Sequence, residues 1–263
     1  MPKLAANISM LFPEHEFLDR IAAAAAVGFR AVESQFPYPH PAEAFAARLE
    51  RHGLEAALIN VPPGEGAAER GFAALPGRET EFDASLERAL AYAGTIGCRR
   101  IHVLAGRVAP GPETEAAFVA NLRRAAARAA ERGVTLLIEP LNAQDNPGYF
   151  LRTTAQATAL LERIGCANVK LQFDFYHCQI TEGALAEHAE RLIGRYGHVQ
   201  IAGVPGRHEP DRGEINYPFL LDLLDRLGYD GWVGCEYRPA AATLDGLGWA
   251  APWGIGRRAE GAA

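Results

Sequence analysis

The chain has 263 residues and a formal net charge of −6 at pH 7, and 49% of its residues are hydrophobic. This length suits one α/β barrel, a class in which a single domain reaches about 250 residues. The negative charge and the lack of a basic stripe argue against a nucleic-acid-binding protein, and no apolar run approaches the roughly 20 residues of a membrane span.

Short apolar runs alternate with longer amphipathic ones along the chain. The runs that predict strands are residues 4–9, 29–34, 54–61, 100–104, 134–139, 169–174, 196–202 and 232–236. The stretches that predict helices are residues 14–27, 41–52, 79–96, 112–132, 153–164, 182–194 and 216–227. A glycine lies at or directly after the end of each predicted helix, as expected of a helix stop.

Eight strand–helix units in this order predict a (β/α)8 TIM barrel with parallel strands and helices outside. An open doubly wound sheet would instead call for a glycine-rich phosphate turn after an early strand, and no G-x-G-x-x-G is present. We expect one barrel domain over residues 1–263, in which 237–263 form an irregular C-terminal tail. Trp249 and Trp253 are candidates to anchor this tail to the barrel or to a partner subunit. Residues 62–78 form a loop long enough to be functional.

Four consecutive strands each present one oxygen-bearing side chain near the same end. These side chains are Glu139, Asp174, Gln200 and Glu236. A charge at the end of an apolar strand is costly to bury unless it is paired or binds a metal, and in a barrel these ends form one ring. Three carboxylates and one amide oxygen suit one Mg²⁺ or Mn²⁺ ion better than Zn²⁺. The competing interpretation is that each residue forms an ion pair with a loop arginine.

Further polar residues are candidates to bind a substrate. Asn7, Asn60 and His102, like Glu33, end the first four strands, although such residues are also common as satisfied strand ends. His177 follows Asp174 by three residues and could reach a substrate oxygen, whereas a lone loop histidine is usually solvated. Arg207, in the loop after the seventh strand, could clamp a carboxylate or belong to a surface ion-pair set.

The sequence also bears on the compartment. Polar Asn7 and Ser9 interrupt the first apolar stretch, which disfavours a secretory signal. The four cysteines form no C-x-x-C pair, which disfavours a zinc cluster or a disulfide framework. We therefore expect free thiols in a reducing cytosol, and thus a cytoplasmic protein.

Six segments together resemble the hydroxypyruvate isomerase family of the xylose-isomerase-like barrels. They read AANISMLFPEHEFLDR, ERGFAALPGRE, IEPLNAQDNPGYFL, LQFDFYHCQ, HVQIAGVPGRHEPDRGEINYP and GYDGWVGCEYRP, and they extend from residue 5 to 239. The resemblance implies a metal site at Glu139, Asp174, Gln200 and Glu236, with Glu139 and Glu236 as the acid/base pair. Ser34 and Gln35 depart from the family pattern, which has an aromatic or aliphatic residue after the strand-two glutamate.

The resemblance implies interconversion of hydroxypyruvate and tartronate semialdehyde. The simplest route passes through an enediolate, and a hydride shift is the competing chemistry. Related 2-oxo-tetronate isomerases share HVQIAG, RHEP and GCEY, so those segments do not determine the substrate, whereas IEPLN and DNPGYFL favour hydroxypyruvate.

Several rival functions remain compatible with the sequence. The chain could be a different sugar or sugar-acid isomerase or epimerase, or a non-catalytic sugar-acid-binding protein. It could also be an abasic-site endonuclease, although such an enzyme would need several histidine ligands and a basic groove. A homo-oligomer is compatible with the sequence as well.

Overall fold

Eight parallel strands form a closed barrel in the computed structural model, which describes residues 1–64 and 69–256. The strands are β1 (Lys3–Asn7), β2 (Ala31–Ser34), β3 (Glu55–Asn60), β4 (Arg100–His102), β5 (Thr135–Ile138), β6 (Val169–Asp174), β7 (Tyr196–Ile201) and β8 (Trp232–Cys235). Each strand pairs with the next in chain order, and β8 pairs with β1. This arrangement confirms the predicted (β/α)8 barrel.

Helices connect the strands. They are α1 (Asp19–Ala26), α2 (Ala42–His52), α3 (Glu79–Ile96), α4 (Pro112–Ala130), α5 (Thr154–Ile164), α6 (Phe175–Thr181), α7 (Leu185–Leu192) and α8 (Tyr217–Arg226), and a 3-10 helix spans Thr243–Trp253. Fully buried side chains such as Leu86, Phe118 and Leu136 join strands and helices into one apolar cluster, each contributing about 1.5–3 kcal/mol. Among the described residues, no helix has both the length and the hydropathy needed to cross a membrane.

Two predicted helices differ from the structure. The helix predicted over 14–27 begins only at Asp19, because a turn in which the His15 N–H donates to the Phe12 carbonyl precedes it. The helix predicted over 182–194 is present as the shorter α7, and the unpredicted helix α6 precedes it. Helix α6 starts directly after β6 because Asp174 caps it, with Oδ1 accepting from the Tyr176 N–H at 2.8 Å. Gly183, with φ of 70°, then separates the two helices.

The segment predicted as an irregular tail contains the 3-10 helix, and its residues 257–263 lie outside the described residues. Trp249 donates a hydrogen bond from Nε1 to the Tyr237 hydroxyl at 3.3 Å, and Trp253 packs against Trp249 with ring centroids 6.0 Å apart. The Phe12 N–H donates to Thr243 Oγ1 at 2.7 Å. The Phe12–Thr243 hydrogen bond fastens the segment to this chain's own barrel, whereas both tryptophan contacts lie within the segment. The four cysteines are free thiols, as expected.

The barrel interior changes from apolar to polar along its axis. Ala5, Ala31, Ala57 and Trp232 pack together as one apolar group. Farther along β2, the fully buried carboxylate of Glu33 accepts hydrogen bonds from three side chains on other strands. These are Asn7 Nδ2 at 2.9 Å, Gln200 Nε2 at 2.8 Å and His198 Nε2 at 2.6 Å.

Gly234 of β8 leaves the space that Glu33 occupies. A Cβ added at Gly234 would lie 2.2 Å from Oε2 of Glu33, which is far closer than two such atoms approach in real structures. The absence of a side chain at Gly234 therefore leaves room for the Glu33 carboxylate and its hydrogen bonds across the barrel interior.

Replacing Gly234 with alanine should displace Glu33 and lower the free energy of unfolding by about 1–3 kcal/mol, the usual cost of overpacking. Urea titration measures this change. Gly94→Ala is the matched control, since Gly94 is exposed on α3 with open space around it, and alanine is the better helix former. Equal effects of the two changes would contradict the assigned role of Gly234.

Candidate active site

A cavity of about 730 Å³ opens at the carboxyl ends of the strands. Six of the predicted site residues line it: Asn60, His102, Glu139, His177, Arg207 and Glu236. Within the described residues, the wall does not include Asn7, Asp174 or Gln200, which are buried next to it. Barrels of this type carry their chemistry at this end, so the cavity is the candidate active site.

Three buried carboxylates lie together at the cavity. Glu139 follows β5, Asp174 ends β6 and Glu236 follows β8, and each is 5% exposed or less. One potential ligand atom each from Glu139, Asp174 and His177 lies within 4.8 Å of the others. Adjacent strand ends in the closed barrel produce this convergence, although 35 residues of chain separate Glu139 from Asp174.

Two of the carboxylate oxygens have no hydrogen-bond partner among the described residues. These are Oε1 of Glu139 and Oδ2 of Asp174, and both are buried. A buried polar atom without a partner is costly, and a carboxylate more so. The unpartnered oxygens and the oxygen-rich ligand set fit a hard divalent cation such as Mg²⁺ or Mn²⁺.

Burial shifts the protonation of all three acids. It raises the pKa of Glu139 well above its usual range, and repulsion from Glu236 and Asp174 adds to this effect. Burial also raises the pKa of Asp174 to about 7, against the opposing pull of Arg207. The pKa of Glu236 is raised by burial as well. Positive charge placed between the acids would restore their ionised forms.

Glu236 is held by residues of three other strands or loops. Its Oε1 accepts from Asn7 Nδ2 at 3.1 Å and from Gln35 Nε2 at 2.7 Å. Its Oε2 accepts from Arg207, whose guanidinium also lies 3.7 Å from Asp174 Oδ2 and 4.8 Å from the centre of the Tyr176 ring. Asn7 thus positions a carboxylate, and Arg207 is engaged by acids of the site.

Gln200 lies beside Asp174 in the register of β6 and β7. Its Nε2 donates to Glu33 Oε1 at 2.8 Å, and its Oε1 accepts from Gln172 Nε2 at 2.6 Å. A carboxylate only accepts hydrogen bonds, so Glu33 fixes which end of the Gln200 amide carries the nitrogen. In this structure the amide oxygen is occupied by Gln172.

His177 is neutral and its proton can be assigned. Burial, together with the charge of Arg207, lowers the pKa of His177 well below its usual range. Its Nδ1 accepts from the backbone N–H of Asn142 at 3.2 Å and contacts Asn142 Nδ2 at 2.7 Å. The proton of the neutral ring therefore lies on Nε2, 3.7 Å from Asp174 Oδ2. A protonated nitrogen donates hydrogen bonds and does not bind a cation, so His177 suits a substrate oxygen better than a metal.

His102 and Asn60 lie on the wall toward β3 and β4. Burial lowers the pKa of His102 to about 3, so the ring is neutral, and neither ring nitrogen has a hydrogen-bond partner among the described residues. Its Nδ1 lies 3.4 Å from Glu139 Oε2. The Asn60 carbonyl accepts from the Tyr38 hydroxyl, and Asn60 itself lines the cavity.

The structure gives further residues a defined place in the site. Gln35 donates a hydrogen bond to Glu236. The only sequence feature that pointed to Gln35 was its departure from the family pattern after the second strand. Asn142 orients His177, and Tyr176 lies under the guanidinium of Arg207. Arg70 lines the cavity from the long loop after β3.

Comparisons with known proteins agree with this geometry. A family model described as xylose isomerase-like TIM barrel matches residues 21–253. The chain is 56% identical to the 2-oxo-tetronate isomerase of Cupriavidus necator, over 98% of this chain and all of that protein. It is 44% identical to the hydroxypyruvate isomerase of Escherichia coli, over 96% of this chain and all of that protein.

A solved structure has nearly the same backbone. The crystal structure of a protein described as AP endonuclease, family 2, from Brucella melitensis superposes with a TM-score of 0.94 at 46% identity, covering 96% of this chain and 99% of that one. Full-length matches at this identity establish common family membership. The chain belongs to the xylose isomerase-like TIM barrel family and is an enzyme of the isomerase class.

Proposed function

We propose that this enzyme is a metal-dependent isomerase that moves a carbonyl by one carbon in a short hydroxy-carbonyl acid. The observation that carries the proposal is that the buried carboxylates of Glu139, Asp174 and Glu236 lie together beside the cavity, and that two of their oxygens lack a hydrogen-bond partner among the described residues. The proposal is also supported by two relatives named as isomerases, one of 2-oxo-tetronate and one of hydroxypyruvate.

Two substrates fit the proposal. Residues 138–151 favour hydroxypyruvate, whereas identity is higher to the 2-oxo-tetronate isomerase, at 56% against 44%. In both acids a carboxylate is followed by a carbonyl carbon and then by a hydroxyl-bearing carbon. We place the four-carbon acid first because the overall identity to its isomerase is higher. Hydroxypyruvate comes second, and the same reacting atoms are present in both acids.

Glu139, Asp174 and Glu236 would hold the cation. Gln200, next to Asp174 in register, would complete the set if its amide oxygen exchanged Gln172 for the ion. A bound Mg²⁺ or Mn²⁺ would stabilise the negative charge that develops on the substrate oxygens as a carbon-bound proton leaves.

Glu139 and Glu236 are placed to move the proton. They come from strands three apart in the barrel, so they approach a bound substrate from two sides. One glutamate would take the proton from the hydroxyl-bearing carbon, giving an enediolate, and the other would deliver a proton to the former carbonyl carbon. The hydroxyl proton would pass to the former carbonyl oxygen, so that the hydroxyl carbon becomes the new carbonyl. His177, with its proton on Nε2, would donate a hydrogen bond to a substrate oxygen, and neutral His102 could hold another.

An abasic-site endonuclease is the second candidate, raised by the description of the Brucella melitensis structure. Such a site needs several histidine ligands and a basic groove. The potential metal cluster found within the described part of the chain contains a single histidine, and the net charge is −6. Nicking of abasic duplex DNA, assayed beside isomerase activity, separates the two candidates. A non-catalytic sugar-acid-binding protein would bind the acids and turn over neither.

Glu139→Gln and Glu236→Gln should each lower kcat for 2-oxo-tetronate or hydroxypyruvate by about 10³-fold, because general acid–base groups contribute on the order of 10²–10⁴. The assay compares protein stripped of metal ions with the same protein supplemented with Mg²⁺ or Mn²⁺. Glu190→Gln, at an exposed position on α7, is the control and should retain full activity. Full activity in both active-site variants would refute the acid/base assignment.

Product formed in deuterated water should carry deuterium at the carbon that receives the proton, because a glutamate exchanges its proton with solvent. Mass spectrometry of the product measures the incorporation. Complete absence of deuterium at early times would favour a hydride shift between the two carbons over the enediolate route.

Asp174→Asn should stabilise the EDTA-treated protein at pH 8 by several degrees in Tm. Burial raises the folded pKa of Asp174 to about 7, above an unfolded value near 4. The stability that this carboxyl contributes is therefore complete below about pH 4 and lost as the pH rises through 7. Mg²⁺ should then raise the Tm of the unmodified protein but not of the variant.

Asp222→Asn provides the control for this measurement, since Asp222 is exposed on α8. Its response to EDTA and to Mg²⁺ should match that of the unmodified protein. An equal Mg²⁺-dependent gain in the Asp174→Asn protein would place the cation away from this cluster.

A further inference from the structure

The described part of the long loop after β3 is fixed to the barrel next to the cavity at Gly71. Gly71 forms an antiparallel bridge with Ala105, just beyond β4, and its N–H donates to the Pro63 carbonyl at 2.9 Å. Gly71 has φ of 94°, and a Cβ there would lie 2.2 Å from the Leu104 carbonyl oxygen. This close backbone approach requires glycine. The neighbouring residue, Arg70, is thereby held at a defined point of the cavity wall.

Arg70 differs from Arg207 in what its guanidinium contacts. Arg207 pairs with Glu236 and lies 3.7 Å from Asp174 Oδ2. Arg70 is half-buried and lines the cavity, and no described residue gives its guanidinium a hydrogen bond or an ion-pair partner. A guanidinium offers five donors and keeps its charge, so one that faces a cavity in this way suits an anionic ligand.

Charge is divided across the cavity. The three carboxylates come from β5, β6 and β8, whereas Arg70 is fixed beside β4, which lies opposite β8 and next to β5 in the closed barrel. Neutral Asn60 and His102 line the wall on the side of β3 and β4. Arg207, the cation among the acids, already pairs with them, so the negatively charged end of a ligand would be attracted toward Arg70.

We propose that Arg70 binds the carboxylate of the substrate and thereby makes the enzyme specific for 2-oxo acids over the corresponding uncharged sugars. This inference rests on the proposed isomerase function. In a 2-oxo acid the carboxylate is bonded directly to the reacting carbonyl carbon, so anchoring it orients the two reacting carbons relative to Glu139 and Glu236. A guanidinium matches a carboxylate in a two-point hydrogen bond, which a lysine cannot reproduce.

Arg238 is the competing cation. It also lines the cavity, but it is exposed at the mouth, where solvent weakens ion pairing. Half-buried Arg70 is the stronger site for a carboxylate, since partial removal from water strengthens the interaction.

The test compares each acid with an uncharged counterpart in which a hydroxymethyl group replaces the carboxylate. Erythrulose is the counterpart of 2-oxo-tetronate, and dihydroxyacetone that of hydroxypyruvate.

Arg70→Gln should lower kcat/KM for the acids on the order of 100-fold and leave kcat/KM for the sugars unchanged. Arg70→Lys should restore only part of the preference. Equal losses on acid and sugar would indicate a structural role and overturn the inference, as would loss of the acid preference in Arg238→Gln alone.

Equilibrium binding separates this inference from the proposed function. Calorimetry of the Mg²⁺-supplemented protein with D-glycerate, and with glycerol as the uncharged control, needs no turnover. We expect glycerate to bind and Arg70→Gln to weaken it on the order of 10-fold or more, with no change for glycerol. Unchanged or undetectable glycerate binding would overturn the role of Arg70. Arg70-dependent glycerate binding without turnover of either acid would instead refute the isomerase proposal and leave the carboxylate site standing.

Discussion

The concentration of buried negative charge at one end of the barrel is the constraint on which the site depends. Three carboxylates of the cavity and Glu33 beneath them are all 5% exposed or less. Each is costly to bury alone, and burial, with added repulsion from Glu236 and Asp174, raises the pKa of Glu139. The surrounding structure compensates with Arg207, with amide donors and with two neutral histidines. The compensation is incomplete, and the two carboxylate oxygens without a hydrogen-bond partner in the described part of the chain are the positions where a cation would complete it.

Glu33 connects the interior of the fold to the site. Its carboxylate on β2 is bound by side chains of β1 and β7 and occupies the space left by Gly234 on β8. Through Gln200 it fixes the amide beside Asp174, and through Asn7 it is linked to Glu236. Glu33 is therefore connected by hydrogen bonds to the side chains that we propose as ligands, although it does not itself line the cavity.

The two halves of the cavity differ in the groups that line them. The β5–β8 half carries the acids to which we assign proton transfer, and a barrel of this kind supports many substrates through changes in its loops. The opposite half is formed by β3, β4 and the loop that holds Arg70, and Gln35 enters from β2 beside Glu236. Substrate choice is expected to reside in these residues, since they surround the parts of the substrate that do not react.

The sequence by itself determined the order of strands and helices, because alternation of apolar runs with glycine-terminated amphipathic stretches depends only on local chemistry. It also placed Glu139, Asp174 and Glu236 at strand ends, where closure of the barrel brings them together. Helix α6 was missed because it depends on Asp174 Oδ1 capping it, a side-chain contact that the apolar pattern of the strand does not predict. Only the tertiary structure decided that Asn7 holds Glu236, that Gln200 points its nitrogen at Glu33 and that Arg207 pairs with acids while Arg70 faces the cavity. These choices depend on contacts between residues far apart in the chain, whose energies no local pattern records.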